Sequence, residues 1–223
     1  MRLRVLIWNL MHGRSVPGAG RDLWQDFGAA LAGWEWDAAL LQEVPPWWPE
    51  ALAHRLDAEY RQVLTSRNAL LPVRRAIATR WPDAIKSNGG GANAILARRD
   101  RIVSHRAQRL CRLPERRWAH SVRLACGIWV TNLHATAHDP DAAWRDGRLA
   151  AASALGWAVE EPVVFGGDFN LRDPSFDGFR RVGGRDVDHV FVAGLEPIGG
   201  VDVLERGRLS DHAPLAVTLG RAD

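Results

Sequence analysis

Apolar residues in this chain come in short runs, and most of the runs end in polar side chains. Residues 3–9 read as a strand that delivers Asn9. Residues 22–33, DLWQDFGAALAG, have helical spacing, with Leu23, Phe27, Ala30 and Leu31 on one face. DAALLQEV, 37–44, is a second short run and carries Gln42 and Glu43 near its end. PPWWPEALAHRL starts a helix after its prolines. Residues 60–88 show no clear period, and GGGANAILARR reads as a glycine turn feeding a strand. Residues 102–112 and 120–133 predict two long strands around LPERR. DAAWRDGRLAAASALGWAV, 141–159, predicts a helix, and strands follow over 162–167, in DVDHVFVA and in APLAVTL.

Strands alternate with helices in the first and last thirds, and the middle is strand-rich. That order predicts an α/β sandwich with at least one mixed sheet. The 223 residues suit one large domain or two small ones, and with no linker, repeat or low-complexity run a single domain over 1–223 is expected. A chain 47% hydrophobic and 25% charged has the composition of an ordinary soluble globular protein. No apolar run approaches a membrane span. MRLRVLIWNL is basic then apolar, but it is short and lacks a small-residue cleavage site. It reads as a first strand, with cytoplasm as the default location. Cys111 and Cys126 match no metal-ligand spacing and make no disulfide framework. Formal net charge is +3, too small to establish nucleic-acid binding.

The stretch VVFGGDFNLRDP, 163–174, brings in chemistry. Val163, Val164 and Phe165 read as a buried strand, and Gly166 and Gly167 let backbone or ligand come close. In extended chain Asp168 and Asn170 point to one face. An anionic acceptor beside an amide suits a metal's water or a phosphate oxygen; an Asx-type turn closing the strand is the alternative. Polar residues end other runs too: Asn9, the pair Gln42 and Glu43, Asn132 and His134 in WVTNLH, Asp188 in DVDHVFV, and Asp211 and His212 in RLSDHAPL. Open α/β sheets gather ligands at the carboxyl ends of strands. Six such ends predict one pocket of carboxylates, amides and two histidines.

In this order the motifs WN, QE, N-x-H, GDFN, D-x-V and SDH resemble the endonuclease/exonuclease/phosphatase family, with its pancreatic deoxyribonuclease-like fold. The resemblance runs from Asn9 to His212. It implies a four-layer α/β/β/α sandwich with two packed, largely antiparallel or mixed β-sheets, and divalent-metal hydrolysis of a phosphate ester. It implies Glu43 as main metal ligand, assisted by Asn9 and Asp211. It implies His212 as the base-like histidine oriented by Asp188, with Asp168 and Asn170 on phosphate, the attacking water or a second ion. His134 matches the second histidine, a general acid in deoxyribonuclease- and sphingomyelinase-like members. Mg²⁺ is the expected ion, with Mn²⁺ as alternative. It takes few carboxylates and shares its shell with substrate phosphate, which suits a lone Glu with amide support. A carboxylate on one ring nitrogen raises a histidine's basicity and fixes its tautomer.

Departures narrow the reading. Tyr60 is the only tyrosine and there is no N-x-Y-x-P-N segment, which argues against an abasic-site endonuclease. Met11 stands where some members carry a second acidic ligand, and no carboxylate partner for His134 is evident. His12, His54, His105, His120 and His138 match no motif and read as structural or exposed, and His189 faces away from Asp188. Residues 98–123 hold nine arginines against Asp100 and Glu115, a net +7. A nucleic-acid groove uses such a patch, with Arg109 and Arg112 as the expected contacts; a solvated hairpin is the alternative. NGGGAN lacks the GK[ST] of a Walker motif, but its turn is a candidate phosphate contact, with Asn93 taken as substrate-binding. The expected activity is that of a monomeric Mg²⁺-dependent phosphodiesterase on nucleic acid. The alternatives are a phosphatase or lipid phosphodiesterase on a small phosphorylated head group, and a catalytically silent nucleic-acid-binding module.

Overall fold

A computed structural model describes residues 2–113 and 115–221. Among them, twelve strands form two six-stranded sheets. The first sheet runs β11 (Leu195–Val203), β12 (Leu215–Arg221), β1 (Arg2–Asn9), β2 (Ala38–Val44), β4 (Ala92–Ala97), β3 (Glu59–Leu64). The second runs β5 (Ile102–Cys111), β6 (Arg117–Leu124), β7 (Trp129–His134), β8 (Val163–Asp168), β10 (Asp188–Ala193), β9 (Arg180–Arg185). Each sheet is mixed: β1 is parallel to β2 and β7 to β8, and the other neighbours are antiparallel. Helices α1 (Trp24–Gly33) and α2 (Trp48–Leu56) cover the first sheet. Helices α3 (Leu71–Arg80) and α4 (Pro82–Ile85) follow β3 in the chain, and α5 (Pro140–Ala158) covers the second sheet. The result is a four-layer α/β/β/α sandwich. No helix among the described residues is long and apolar enough to cross a membrane.

Strand alternation decides what each layer buries. Leu6 and Trp8 of β1 pack against Phe27, Leu31, Trp48 and Leu52 of the outer helices. Val5 and Ile7 face the other way and join Leu40, Val122, Val130, Val164 and Val190 in a core shared by both sheets. Continuing that inward series, β1 reads Val5, Ile7, Asn9 and β2 reads Leu40, Gln42; β7 reads Val130, Asn132, His134 and β8 reads Val164, Gly166, Asp168. Each series is apolar first and polar last. β10 runs antiparallel to β8, so its first residue, Asp188, stands opposite Asp168. One edge of the inter-sheet core is therefore roofed by polar groups.

The glycines of GGDFN clear space for the protein itself. A Cβ on Gly166 would lie 2.6 Å from Ile7 Cδ1, so side chains of the first sheet press on bare backbone of the second. Gly167 has φ +141°, and a Cβ there would lie 2.0 Å from the Leu133 carbonyl oxygen across the parallel ladder.

Several elements differ from the sequence expectation. Residues 120–133 are not one strand; β6 turns through 125–128, with Gly127 at φ +83°, into β7. β3, β9, β11 and α3 were not foreseen. β9 is RRVGGR, without apolar alternation, and is held by pairing with β10. β11 contains Pro197 and two glycines and shifts register between Pro197 and Val201. α3 buries no residue at all.

Gly167→Ala is expected to lower unfolding free energy by about 3 kcal/mol or more, because backbone rather than a flexible side chain must yield. Gly156→Ala, on an exposed helix face with nothing within 4 Å, is expected to raise it by about 0.5–1 kcal/mol. Urea melts of both variants check the contrast; equal effects would contradict the β7–β8 geometry.

Candidate active site

The polar roof draws side chains from β1, β2, β7, β8, β10 and the segment before β12. Asn9 Nδ2 donates to Asp168 Oδ2 across the gap between the sheets at 3.0 Å, and Asn9 Oδ1 accepts from Met11 N at 2.9 Å. Gln42 Nε2 donates to Asn132 Oδ1 at 2.7 Å, and Asn132 Nδ2 reaches the Leu41 and Ala94 carbonyls. Buried amides thus stitch the sheets where the apolar core stops.

Glu43 sits where alternation breaks. An undisturbed β2 sends Gln42 and Glu43 to opposite faces. Instead the pairing with β4 shifts register between Leu41 and Val44, Glu43 takes φ +49°, and its carboxylate enters the cleft. Glu43 Oε2 lies 3.1 Å from His12 Nε2, and Oε1 lies 3.8 Å from His134 Nε2. His12 has no matching motif, yet the turn after Asn9 delivers it here. Met11, His12, Glu43, Asn170 and Ser210 have φ of 48°, 55°, 49°, 52° and 59°. Left-handed backbone costs a non-glycine residue on the order of 1 kcal/mol or more, and such strain gathers at functional sites.

Asp168 and Asn170 do not project side by side from extended chain. Asn170 turns left-handed, its N–H donates to Asp168 Oδ1 at 3.0 Å, and its Nδ2 donates to the Ala135 carbonyl. The Asx-type closure and the site coexist: one Asp168 oxygen closes the turn and the other faces the cleft.

The SDH segment is stapled to β1. Ser210 Oγ donates to the Asn9 carbonyl at 2.6 Å and accepts from His212 N at 3.1 Å, while Trp8 Nε1 donates to the His212 carbonyl. So held, His212 Nδ1 meets Asp188 Oδ2 at 2.7 Å, and its Nε2 lies 3.9 Å from Asp168 Oδ2. Asp211 is exposed at the cleft rim.

Burial alone lowers His212, but the Asp188 hydrogen bond and the charges of Asp188, Asp168 and Asp211 outweigh it and push it up to about 9. Asp168 rises to about 7, through burial first and then the neighbouring Asp188 charge. Burial raises Asp188 as well, against the pull of His212. The short Nδ1–Oδ2 contact decides between these, since a charge-assisted bond makes imidazolium and carboxylate the resting state of the pair. His134 lies 3.5 Å from Asp168 Oδ2 and is held well below its ordinary value, by burial and then by the Arg117 charge. That favours its neutral form, whereas the general-acid role implied by the resemblance needs a proton on it.

The donor set fits a divalent cation near Glu43. Burial keeps His12 neutral, and its Nδ1 lies 3.1 Å from the Gly90 carbonyl, so that nitrogen carries the proton. A bare Nε2 then faces a carboxylate oxygen at 3.1 Å, two acceptors that need a cation or proton between them. Asp168, Asp188 and His212 also have metal-ligand spacing, their ligand atoms lying within 4.8 Å of one another. There, however, the proton shared by His212 and Asp188 already supplies the positive charge.

Glu43, His12, His134 and Asp211 line one cavity of about 810 Å³, together with Arg116 and Arg117. Arg109 and Arg112, the expected contacts, are exposed and do not line it. The basic segment reaches the cavity through residues past the turn, not along edge strand β5. Asn93 does not line it either: it takes the inward parity of Ile95, is fully buried, and neither amide atom has a hydrogen-bond partner among the described residues.

The model of the endonuclease/exonuclease/phosphatase family matches residues 6–212. The chain belongs to this family. Members are usually hydrolases acting on phosphodiester bonds and generally depend on a divalent metal. Solved structures of this fold include an endonuclease/exonuclease/phosphatase from Bacteroides vulgatus, 15% identical, covering all of both chains with a TM-score of 0.72. TDP2 from Caenorhabditis elegans is 15% identical over 98% of this chain and 74% of that one, with a TM-score of 0.70. An endonuclease/exonuclease/phosphatase from Beutenbergia cavernae is 17% identical over 99% and 72%, with a TM-score of 0.69. No curated protein matches the chain.

In metal-free protein the His212 imidazole is expected to titrate well above its ordinary 6.5, and Asp188→Asn to bring it back to that value or below. Histidine NMR titration checks this; a wild-type value at or below 6.5 would contradict the ion pair.

Proposed function

We propose that this chain, as one domain, hydrolyses phosphodiester bonds of nucleic acid with Mg²⁺ held by Glu43 and assisted by Asn9 and Asp211. The observation that carries the proposal is the convergence on Asp168 Oδ2 of Asn9 at 3.0 Å, His134 at 3.5 Å and His212 at 3.9 Å. When bound, the metal supplies charge that polarises a phosphoryl oxygen and stabilises the charge developing on it. His212, kept cationic by Asp188, donates from Nε2 to a non-bridging oxygen. This replaces the base-like role expected from the resemblance, because a group pushed to about 9 holds its proton at neutral pH. Asp168, raised to about 7, takes the proton of the attacking water as general base; as the bond from phosphorus to the leaving oxygen breaks, that oxygen takes a proton from solvent water. Asn170 fixes Asp168 through the turn. Neutral His134 and His12 flank Glu43, and the bare Nε2 of His12 would face the metal together with that carboxylate. Five arginines line the same cavity, Arg14, Arg67, Arg116, Arg117 and Arg145, and favour an anionic phosphate strand.

A panel of plasmid DNA, single-stranded DNA, RNA, bis(p-nitrophenyl) phosphate and p-nitrophenyl phosphate, each with Mg²⁺, Mn²⁺ or EDTA, tests the reading. Cleavage of diesters, lost in EDTA, is expected. Glu43→Gln keeps the shape and removes the charge, so kcat/KM should fall about 100-fold or more with the melting temperature nearly unchanged. Wild-type activity and calorimetric metal binding in that variant would show the metal site to be elsewhere.

A further inference from the structure

The cavity wall holds a charged group whose hydrogen bonding is incomplete among the described residues. Arg117 opens β6 with its side chain only 7% exposed. Its Nη2 donates to Glu115 Oε2 at 2.8 Å, while its Nε is buried without a hydrogen-bond partner among the described residues. The other Glu115 oxygen holds Arg67 Nη2, from the segment after β3. The backbone N–H of Arg116 donates to Ser66 Oγ at 2.7 Å, which ties the two segments together. Two guanidiniums thus share one carboxylate, and the trio carries a net +1 on a cavity that also contains Glu43 and His134. A buried arginine is ordinarily paired, because an uncompensated buried charge is costly. Here the pairing is half complete, and the unused Nε belongs to the fork that grips a phosphate bidentately.

We propose that Arg67 and Arg117, bridged by Glu115, form a second anion subsite that takes a phosphate of the substrate strand next to the scissile one. The identity of the strand rests on the phosphodiesterase reading; the capture of the anion does not. Glu115 keeps the two forks apart and aimed, and leaves them one positive charge in excess of neutral. The enzyme then selects substrates that carry a neighbouring phosphate over an isolated diester.

The test uses the whole chain in EDTA, where no metal-dependent turnover occurs and binding is read alone. The probe is fluorescein-labelled decathymidylate, followed by anisotropy over a salt series. Arg67 is 36% exposed, so Arg67→Gln spares the fold. It is expected to weaken binding about fivefold and to lower the slope of log K against log salt by about 0.7, the share of one single-strand phosphate contact. Arg117→Lys keeps the charge and loses the fork; it is expected to weaken binding with the slope nearly retained, its fold checked by melting temperature. Unchanged affinity in Arg67→Gln and in folded Arg117→Lys overturns the subsite, and so does a wild type that fails to bind the probe. Weakened binding by both variants in a protein that cleaves nothing with metal upholds the subsite and overturns the phosphodiesterase reading.

Discussion

The hydrogen bond from Asn9 to Asp168 is the constraint on which the rest of the site depends. It joins a carboxylate of one sheet to an amide of the other, and both residues are only 2% exposed. Burying a carboxylate is costly unless partners compensate it. Asp168 meets that requirement in three ways: it accepts from the Asn9 amide, it accepts from the Asn170 N–H, and its proton affinity rises to about 7. The stitch also fixes where β1 and β8 end relative to each other, and so where Glu43, His134 and His212 can meet.

Core and site are built by the same alternation. The inward series of the central strands change from apolar to polar at a common level, so the groups that close the hydrophobic core are the groups proposed to do the chemistry. Gly166 lets Ile7 sit against bare backbone below that level, and Gly167 lets β7 and β8 come together at it. The first sheet contributes His212 through the Ser210 staple, and the second contributes Asp188. The ion pair therefore spans the sandwich.

Much of this was legible in the sequence, because strand ends are local features. Asn9, Glu43, His134 and Asp168 were readable as polar residues closing apolar runs, and Asp188 and His212 as polar residues just ahead of one. What escaped depends on tertiary contacts or on φ. β9 has no pattern of its own and exists by pairing with β10. α3 buries nothing, so it leaves no apolar period. Strict alternation would have placed Glu43 on the outer face, and only its left-handed backbone brings it inward. His12 lies in a turn rather than in a run. Arg116 and Arg117 look like any others in an arginine-rich segment, and only the topology distinguishes them from Arg109 and Arg112.

The central claim is that His212 and Asp188 act as one unit although they come from opposite sheets. Its most direct test is a double-mutant cycle on kcat/KM for metal-dependent hydrolysis of bis(p-nitrophenyl) phosphate. His212→Ala and Asp188→Asn are each expected to lose about 10²- to 10⁴-fold. The account predicts that the double variant falls within about tenfold of the worse single variant, as groups acting together are strongly non-additive. Two losses that simply multiply would contradict it.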